Sequence, residues 1–120
     1  MCGIAGIITS DQNIKQRITK MTCMLSHRGP DYSDIYLHNN LALGHTRLSI
    51  IDLNERSNQP FHDSTRNYTI VYNGEIYNYK QLKKELVDDG LDFRTESDTE
   101  VILNGYIKYG INYFKKLKGF

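Results

Sequence analysis

The chain opens directly on a short apolar segment, residues 2–8, in which isoleucine and alanine are interrupted by two glycines. Such a run predicts a buried strand, and the glycines let another backbone come close. The segment is too short to cross a membrane and no basic residue precedes it, so it resembles neither a membrane span nor a signal peptide. We therefore expect a cytoplasmic protein whose first strand lies in the core.

The composition narrows the class of protein and of partner. With 120 residues, 39% of them hydrophobic, the chain has enough material for one domain with a packed core. Fifteen basic residues against fourteen acidic ones leave a net charge of +1, which argues against nucleic acid or a membrane surface as a partner. Cys2 and Cys23 form no Cys-x-x-Cys pair and should be free thiols. The four histidines lack the spacing of a zinc site, so we predict no metal.

Residue spacing predicts three helices. Apolar residues recur at intervals of four, three and four, at Ile14, Ile18, Met21 and Leu25. Asp11 can cap this first amphipathic helix, which a polar turn then breaks. Asn78 is the predicted N-cap of a second helix that ends at Gly90. A capping-box pattern at residues 97–100 begins a third helix, which ends at Gly110.

Between the helices, short apolar or β-rich runs predict further strands. They lie at residues 35–37, 41–44, 50–53 and 68–72, with a polar surface loop at 54–66. The predicted strands and helices alternate without a regular strand, helix, strand order. This pattern favours an α+β layered domain over a doubly wound one.

Cys2 is the first residue that could carry chemistry. If Met1 is removed, Cys2 has a free α-amino group with a reference pKa of about 8, which can accept the thiol proton. One residue would then supply both nucleophile and base. A lone buried cysteine is, however, more often a packed apolar residue than a nucleophile. Taken alone, Cys2 leaves both interpretations open.

Five blocks of sequence together carry a family resemblance, at residues 2–6, 27–31, 44–50, 72–78 and 97–100. In their order and spacing they resemble the class II glutaminase domain of glutamine-hydrolysing asparagine synthetase. Related transferases that make purine precursors or glucosamine phosphate also begin Cys-Gly-Ile, but they typically continue Thr-Arg-Trp. This chain has Thr46-Arg47-Leu48 there, and Pro30-Asp31 further fits the asparagine synthetase branch.

The resemblance implies a fold and its limits. The family fold is the α/β/β/α sandwich of N-terminal-nucleophile hydrolases, an α+β arrangement. Residues 1–120 correspond to the glutaminase domain, and residues 117–120 resemble the start of a core strand that the family continues. We therefore expect a C-terminally incomplete domain. No synthetase domain and no phosphate-binding loop lie in these residues.

The resemblance also implies an enzyme, its reaction and its partners. Cys2 would attack glutamine and form a thioester, whose hydrolysis yields glutamate after ammonia is released. The ammonia would pass to ATP-activated aspartate on a synthetase domain or partner chain. No cofactor is expected in this chain, because ATP and magnesium belong to that absent part. Glutamine is the expected ligand, with neither nucleic acid nor membrane as a partner.

The implied catalytic residues are Cys2, Asn73 and Gly74. The side-chain amide of Asn73 and the backbone N–H of Gly74 would stabilise the oxyanion, although an Asn-Gly turn after a strand explains the same dipeptide. Arg28 and Gly29 would belong to a loop close to the nucleophile. A turn that ends the first helix explains that pair equally well.

Glutamine binding needs one fixed cation and one fixed acid. Arg47 suits the α-carboxylate because its planar guanidinium can bind both oxygens. Asp98 and Glu75 would face the α-ammonium, and Asp98 also suits the first turn of a helix. The whole implied glutamine-binding set is Arg47, Leu48, Ser49, Ile50, Ile51, Asn73, Gly74, Glu75 and Asp98.

Two alternatives remain open. The chain could be an inactive remnant that binds glutamine or a partner without catalysis. It could also be an amidotransferase for a different acceptor in a polysaccharide or small-molecule pathway. Glutamine binding without turnover would favour the first alternative, whereas the second differs in the part that handles the acceptor.

Overall fold

A computed structural model describes residues 1–49 and 53–120 of the chain. These residues form two compact units. The first unit contains residues 1–49, 58–60 and 71–73, and the second contains 53–57, 61–70 and 74–120. Both helices and antiparallel strands are present, which confirms the predicted α+β class. No helix among the described residues is long and apolar enough to cross a membrane.

The first unit is built on a three-stranded antiparallel sheet. Its strands are β1 (Gly3–Ile8), β2 (Tyr32–His38) and β3 (Leu41–Arg47), in the order β1-β3-β2. Helix α1 (Ile14–Cys23) packs against the sheet, with Ile18 fully buried. The central strand β3 therefore passes through the core of this unit.

The two faces of β3 have different environments. Gly44 lies against α1, because a Cβ at this position would stand 2.0 Å from Oγ1 of Thr22. Thr46, two residues on, donates a hydrogen bond to the carbonyl oxygen of Leu25 just beyond α1. Side chains alternate along a strand, so His45 and Arg47 point to the opposite face. Both of these polar side chains are nevertheless buried.

The elements of the first unit differ in detail from the sequence prediction. The N-cap of α1 is Asn13 rather than Asp11, whose carboxylate accepts a hydrogen bond from the Asn13 N–H. Strands β2 and β3 extend beyond the predicted residues 35–37 and 41–44, because backbone pairing continues through polar residues as far as Arg47. Of the strand predicted at 50–53, residues 50–52 lie outside the described part, and Leu53 is exposed and outside any strand.

The second unit combines a two-stranded antiparallel ribbon with two helices. The ribbon pairs β4 (Phe61–His62) with β5 (Thr69–Ile70), so the strand predicted at 68–72 is shorter and the predicted loop contains a strand. Helix α2 (Tyr79–Asp88) packs against α3 (Asp98–Tyr109). A 3-10 segment, Gly110–Lys116, follows α3. Buried apolar side chains of this unit include Leu82, Leu86, Val101 and Tyr113.

The predicted helix ends are partly confirmed. Asn78 occupies the N-cap of α2 but makes no cap bond, since its side-chain amide bonds the backbone of Lys116 and Lys118 instead. Gly90 has the predicted left-handed conformation, with φ of 88°. The Ser97 hydroxyl caps α3 by accepting a bond from the Thr99 N–H at 3.1 Å.

The predicted capping box at the start of α3 is only half formed. The Glu100 carboxylate is buried, but it accepts bonds from the backbone N–H groups of Arg94 and Thr95 and from the Thr95 hydroxyl. It therefore does not bond the Ser97 N–H, which donates to the Thr95 hydroxyl oxygen at 3.2 Å. The loop before α3 therefore folds back onto Glu100 and donates hydrogen bonds to both of its carboxylate oxygens.

The last residues of the chain pair with the segment before α2. The Glu75 N–H donates to the carbonyl oxygen of Phe120, and the Phe120 N–H donates back to that of Glu75. Ile76 and Gly119 form a single antiparallel bridge. Residues 117–120, predicted to begin a core strand, thus form only this one bridge among the described residues, and residues 118–120 are exposed.

Candidate functional site

Cys2 lies in the first unit, immediately before β1, and is half-buried. Its sulfur accepts a hydrogen bond from the Leu48 N–H at 3.4 Å and lies 3.7 Å from the Leu48 carbonyl oxygen, to which a thiol can donate. Leu48 directly follows β3. Both peptide groups of one residue therefore hold the sulfur at the end of the central strand. Cys2 and Cys23 are free thiols, as predicted.

The turn after α1 lies against the same end of β3. Arg28 donates a hydrogen bond from Nε to the carbonyl oxygen of Cys2 at 3.0 Å. Gly29 is buried, and a Cβ on it would stand 2.5 Å from the backbone carbonyl of Thr46 and 2.6 Å from that of Arg47. Glycine is required because two backbones meet here. The two interpretations of this pair are compatible, since the turn that follows α1 also contacts Cys2.

Asp31 extends this contact along the chain. Its N–H donates to the carbonyl oxygen of Arg47 at 3.0 Å, and its carboxylate accepts a bond from the Ser49 N–H at 2.7 Å. Leu48 lies between these two anchored residues. Asp31 thereby fixes the backbone whose peptide groups hold Cys2. The sequence showed Asp31 only as part of a motif and did not indicate this role.

Arg47 is the last residue of β3 and only 6% exposed. Its Nη1 donates to the side-chain carbonyl of Asn58, another first-unit residue, at 2.6 Å. The guanidinium is therefore held in one position on the sheet face opposite α1. A fixed cation with planar donors suits a carboxylate ligand. Ile50 and Ile51, predicted beside it, lie outside the described residues.

Asn73 belongs to the first unit and is half-buried. It follows Tyr72, whose N–H donates to the Gln59 side-chain oxygen at 2.6 Å. The Tyr72 carbonyl oxygen lies 3.3 Å from Nε2 of His45. Sequence reasoning missed His45 and Gln59 as contributors here. The available signal was that His45 is two residues from Arg47, so a strand continued beyond the predicted 41–44 would place both side chains on one face.

Gly74, Glu75 and Asp98 belong to the second unit. Asp98 begins α3 and is 5% exposed, and its carboxylate accepts a hydrogen bond from the Ile76 N–H at 3.0 Å. Burial raises the pKa of Asp98, and the negative charge of nearby Glu75 acts in the same direction, whereas the Ile76 bond opposes it. Two neighbouring carboxyl groups, one buried and one exposed, suit a cationic ligand.

The predicted site residues therefore fall into two groups. The first unit brings together Cys2, Arg28, Gly29, Arg47, Leu48 and Ser49 at the end of β3 and also contains Asn73. The second unit contains Gly74, Glu75 and Asp98. Among residues 1–49 and 53–120, no group of three His, Cys, Asp or Glu side chains is placed to hold a metal ion. That this chain binds no metal remains a prediction.

Comparison with known proteins gives consistent matches over the whole chain. Residues 1–120 match the family described as glutamine amidotransferase domain. Asparagine synthetase [glutamine-hydrolyzing] 1 of Bacillus subtilis (strain 168) is 43% identical over 127 residues, covering 99% of this chain and 20% of that protein. Asparagine synthetase B [glutamine-hydrolyzing] of Escherichia coli (strain K12) is 37% identical over 122 residues, covering 99% and 22%. Amidase chry2 of Gibberella zeae is 36% identical over 133 residues, covering 99% and 20%. The chain spans about a fifth of the length of these relatives.

Proposed function

Because this chain belongs to the glutamine amidotransferase domain family, we propose that it hydrolyses glutamine to glutamate and ammonia with Cys2 as the nucleophile. The match to this family, together with the similarity to asparagine synthetases, confirms the family and the enzyme class predicted from the sequence. The observation that carries the proposal is the contact between the Cys2 sulfur and both peptide groups of Leu48, the residue next to buried Arg47. The nucleophile Cys2 thus contacts the residue that follows Arg47, the cation proposed to bind the substrate, and both belong to the first unit.

The proposed reaction has two halves. The Cys2 sulfur attacks the side-chain carboxamide carbon of glutamine, the C–N bond breaks, and the thiol proton leaves with the nitrogen as ammonia. Water then hydrolyses the γ-glutamyl thioester, which releases glutamate and restores the thiol. Removal of Met1 would give Cys2 its own α-amino group as the base. Arg28 fixes the carbonyl end of the same residue, and the peptide groups of Leu48 hold its sulfur.

The oxyanion formed in each half needs hydrogen-bond donors. We assign this role to the side-chain amide of Asn73 and the backbone N–H of Gly74. Adjacent residues suit the task because one oxygen can accept from two donors that arrive from neighbouring positions. Gly74 has no side chain to obstruct the approach of substrate.

Substrate recognition is assigned to charged side chains. Arg47 would bind the α-carboxylate of glutamine, with Leu48 and Ser49 contributing beside it. Asp98 and Glu75 would bind the α-ammonium. Desolvation of the buried Asp98 carboxyl supports this, because a bound cation compensates a charge that burial makes unfavourable. Ile50 and Ile51 complete the proposed set.

The fate of ammonia is a proposal about a larger protein than these residues. By analogy with the asparagine synthetases that match the chain, we assign transfer to ATP-activated aspartate, carried out by a synthetase domain or partner chain in the cytoplasm. ATP and magnesium would be bound there and not by this chain. The match to an enzyme named as an amidase keeps a different acceptor as the second candidate.

The test uses a chloroketone analogue of glutamine, which alkylates a nucleophilic thiol that lies in a glutamine site. Intact mass and peptide mapping should show loss of Met1 and a single adduct on Cys2, and excess glutamine should prevent the adduct. Cys2→Ala should abolish adduct formation and glutamate release. Cys23→Ala, which removes the exposed thiol of α1, is the matched control and should change neither.

Two outcomes would overturn the proposal. One is an adduct on Cys23 in place of Cys2. The other is glutamate release by Cys2→Ala at the wild-type rate. Binding of glutamine by the wild type without any turnover would instead support the remnant that binds but does not catalyse.

A further inference from the structure

Both backbone polar groups of Tyr72 are bonded to buried side chains of the first unit. Its N–H donates to Oε1 of Gln59 at 2.6 Å, and its carbonyl oxygen lies 3.3 Å from Nε2 of His45. Tyr72 lies outside any strand, since β5 ends at Ile70. His45 is fully buried and Gln59 is 7% exposed. Two side chains distant in sequence thus fix the peptide groups on either side of this residue.

The His45 contact defines the tautomer of the ring. A carbonyl oxygen only accepts hydrogen bonds, so Nε2 must carry the proton. Nδ1 is buried and has no partner among the described residues, which suits the unprotonated nitrogen of a neutral ring. Desolvation and, to a smaller extent, the charge of Arg47 outweigh the bond to the Tyr72 carbonyl and lower the pKa of His45 to about 4, so the ring is neutral at physiological pH. His45 is therefore a fixed neutral donor.

Gln59 supplies the opposite partner. Its side-chain oxygen accepts the Tyr72 N–H, and this bond is lost if the oxygen is removed. A hydrogen bond to the buried Gln59 side chain is directional, so the bond favours one position of the backbone at Tyr72. Donor and acceptor together restrict the peptide planes before and after the residue.

We propose that His45 and Gln59 form a clamp on Tyr72 that positions Asn73 for catalysis. The inference rests on the proposed function, in which the Asn73 side chain stabilises the oxyanion. Asn73 is one residue beyond the clamp, about 3.8 Å along the chain, so a rotation of the Tyr72 carbonyl also moves Asn73. His45 and Gln59 are positioning residues and do not touch the substrate. Catalysis is sensitive to such displacements, because a donor acts only when it reaches the developing charge.

Two carboxamide substitutions of His45 separate positioning from mere burial. Glutamine places its side-chain N–H near the position of Nε2, so His45→Gln should keep the bond to Tyr72. Asparagine places its N–H near Nδ1, too short to reach, so His45→Asn should lose the bond. We expect His45→Asn to lower kcat for glutamine hydrolysis about tenfold with KM within about twofold of wild type, while His45→Gln stays close to wild type. His38→Asn, the same change on an exposed histidine of β2, is the matched control.

A double-mutant cycle tests whether His45 acts through Asn73. Asn73→Ala alone should lower kcat by about 10² to 10³, the effect typical of a lost oxyanion donor. In that background, His45→Asn should have little additional effect, because the donor that it positions is already absent. If the two losses multiply instead, His45 does not act through Asn73 and the clamp proposal is overturned.

Amide hydrogen exchange separates this inference from the proposed function. Loss of the clamp should speed exchange at residues 71–73 about tenfold in His45→Asn and in Gln59→Met, but not in His45→Gln. If exchange accelerates in this way but the wild-type protein has no glutaminase activity, the exchange result supports the clamp and the missing activity rejects the proposed function. Lower kcat with unchanged exchange at 71–73 would overturn the clamp and leave the function standing.

Discussion

The Nε–H of Arg28 donates a 3.0 Å hydrogen bond to the carbonyl oxygen of Cys2. This contact joins the turn after α1 to the residue before β1, two parts of the chain that are 26 positions apart. The sulfur of Cys2 is held on its other side by the peptide groups of Leu48. Cys2 is therefore fixed from two directions within the first unit.

The Arg28 contact makes a prediction for Cys2 reactivity. In Arg28→Lys the positive charge stays but the Nε donor is lost, so Cys2 gains freedom to move. We expect the rate of alkylation by the chloroketone analogue to fall about tenfold, which corresponds to one charge-assisted hydrogen bond. Arg17→Lys, the same substitution at an exposed position of α1, should leave the rate unchanged. Equal rates in both variants would show that Arg28 does not hold Cys2 in place.

Gly29 makes a prediction for stability. In Gly29→Ala the new Cβ would meet the backbone of Thr46 at 2.5 Å, and two backbones must separate to admit it. We expect the free energy of unfolding, measured in urea, to fall by about 1–3 kcal/mol. Gly6→Ala is the control, because its Cβ would make an ordinary contact at 3.6 Å with Leu43. Similar stabilities for the two variants would contradict the close approach at Gly29.

Asp98 makes a prediction in which stability and binding change in opposite directions. Its pKa is raised by burial, so the folded state binds the proton more tightly than the unfolded state and stability is lost as pH rises through that pKa. Asp98→Asn removes this unfavourable charge and keeps an oxygen for the Ile76 N–H. At pH 7 the variant should be at least as stable as wild type, yet glutamine binding measured by calorimetry should fall at least tenfold.

The pH dependence of glutamine binding gives a second measurement on Asp98. Binding of the α-ammonium needs the ionised carboxylate, so wild-type affinity should decrease as pH falls through the raised pKa. If Asp98→Asn bound glutamine with unchanged affinity, Asp98 would not belong to the proposed site. A variant that binds weakly because it is unfolded would show itself as a loss of stability, which is the opposite of the prediction.

His45 makes a prediction for acid stability. Its pKa is lowered from 6.5 to about 4 in the folded state, so the unfolded state binds the proton first as pH falls. The stability that depends on the neutral ring is complete above pH 6.5 and is lost progressively between 6.5 and 4, by about 3 kcal/mol in total. His45→Gln should flatten the stability curve in this range, whereas His38→Gln should not. Parallel curves for wild type and His45→Gln would contradict a buried neutral ring.

Local signals in the sequence were sufficient for the helices and for the family. The apolar spacing through Ile14 and Ile18 predicted α1, and Gly90 and Ser97 ended and began helices where the structure has them. These features depend on neighbours within a few positions, so the order of the residues is enough to predict helical periodicity and helix ends. The order of the five motifs likewise predicted the family that the comparison confirms.

Local patterns failed where backbone pairing or a competing partner was decisive. Strand β3 continues to Arg47 because β2 pairs with it through polar residues, which carry little β signal. Asn78 is the N-cap of α2 as predicted, but its side chain makes no cap bond, and Glu100 does not complete the predicted capping box, because nearby loops and the end of the chain provide other partners for their polar atoms. A side chain with several possible partners takes those that the folded chain brings closest, and its own sequence neighbours do not reveal them.

By itself, the amino-acid sequence determined which residues are available for chemistry, including Cys2, Arg47, Asn73 and Asp98, and which family the chain belongs to. Only the tertiary structure decided how they are held. The contacts of Cys2 with Leu48 and of His45 with Tyr72 join residues that are 46 and 27 positions apart. Such contacts arise only when the folded chain brings these residues together and shields their polar groups, partly or fully, from water, so that each group depends on a distant neighbour.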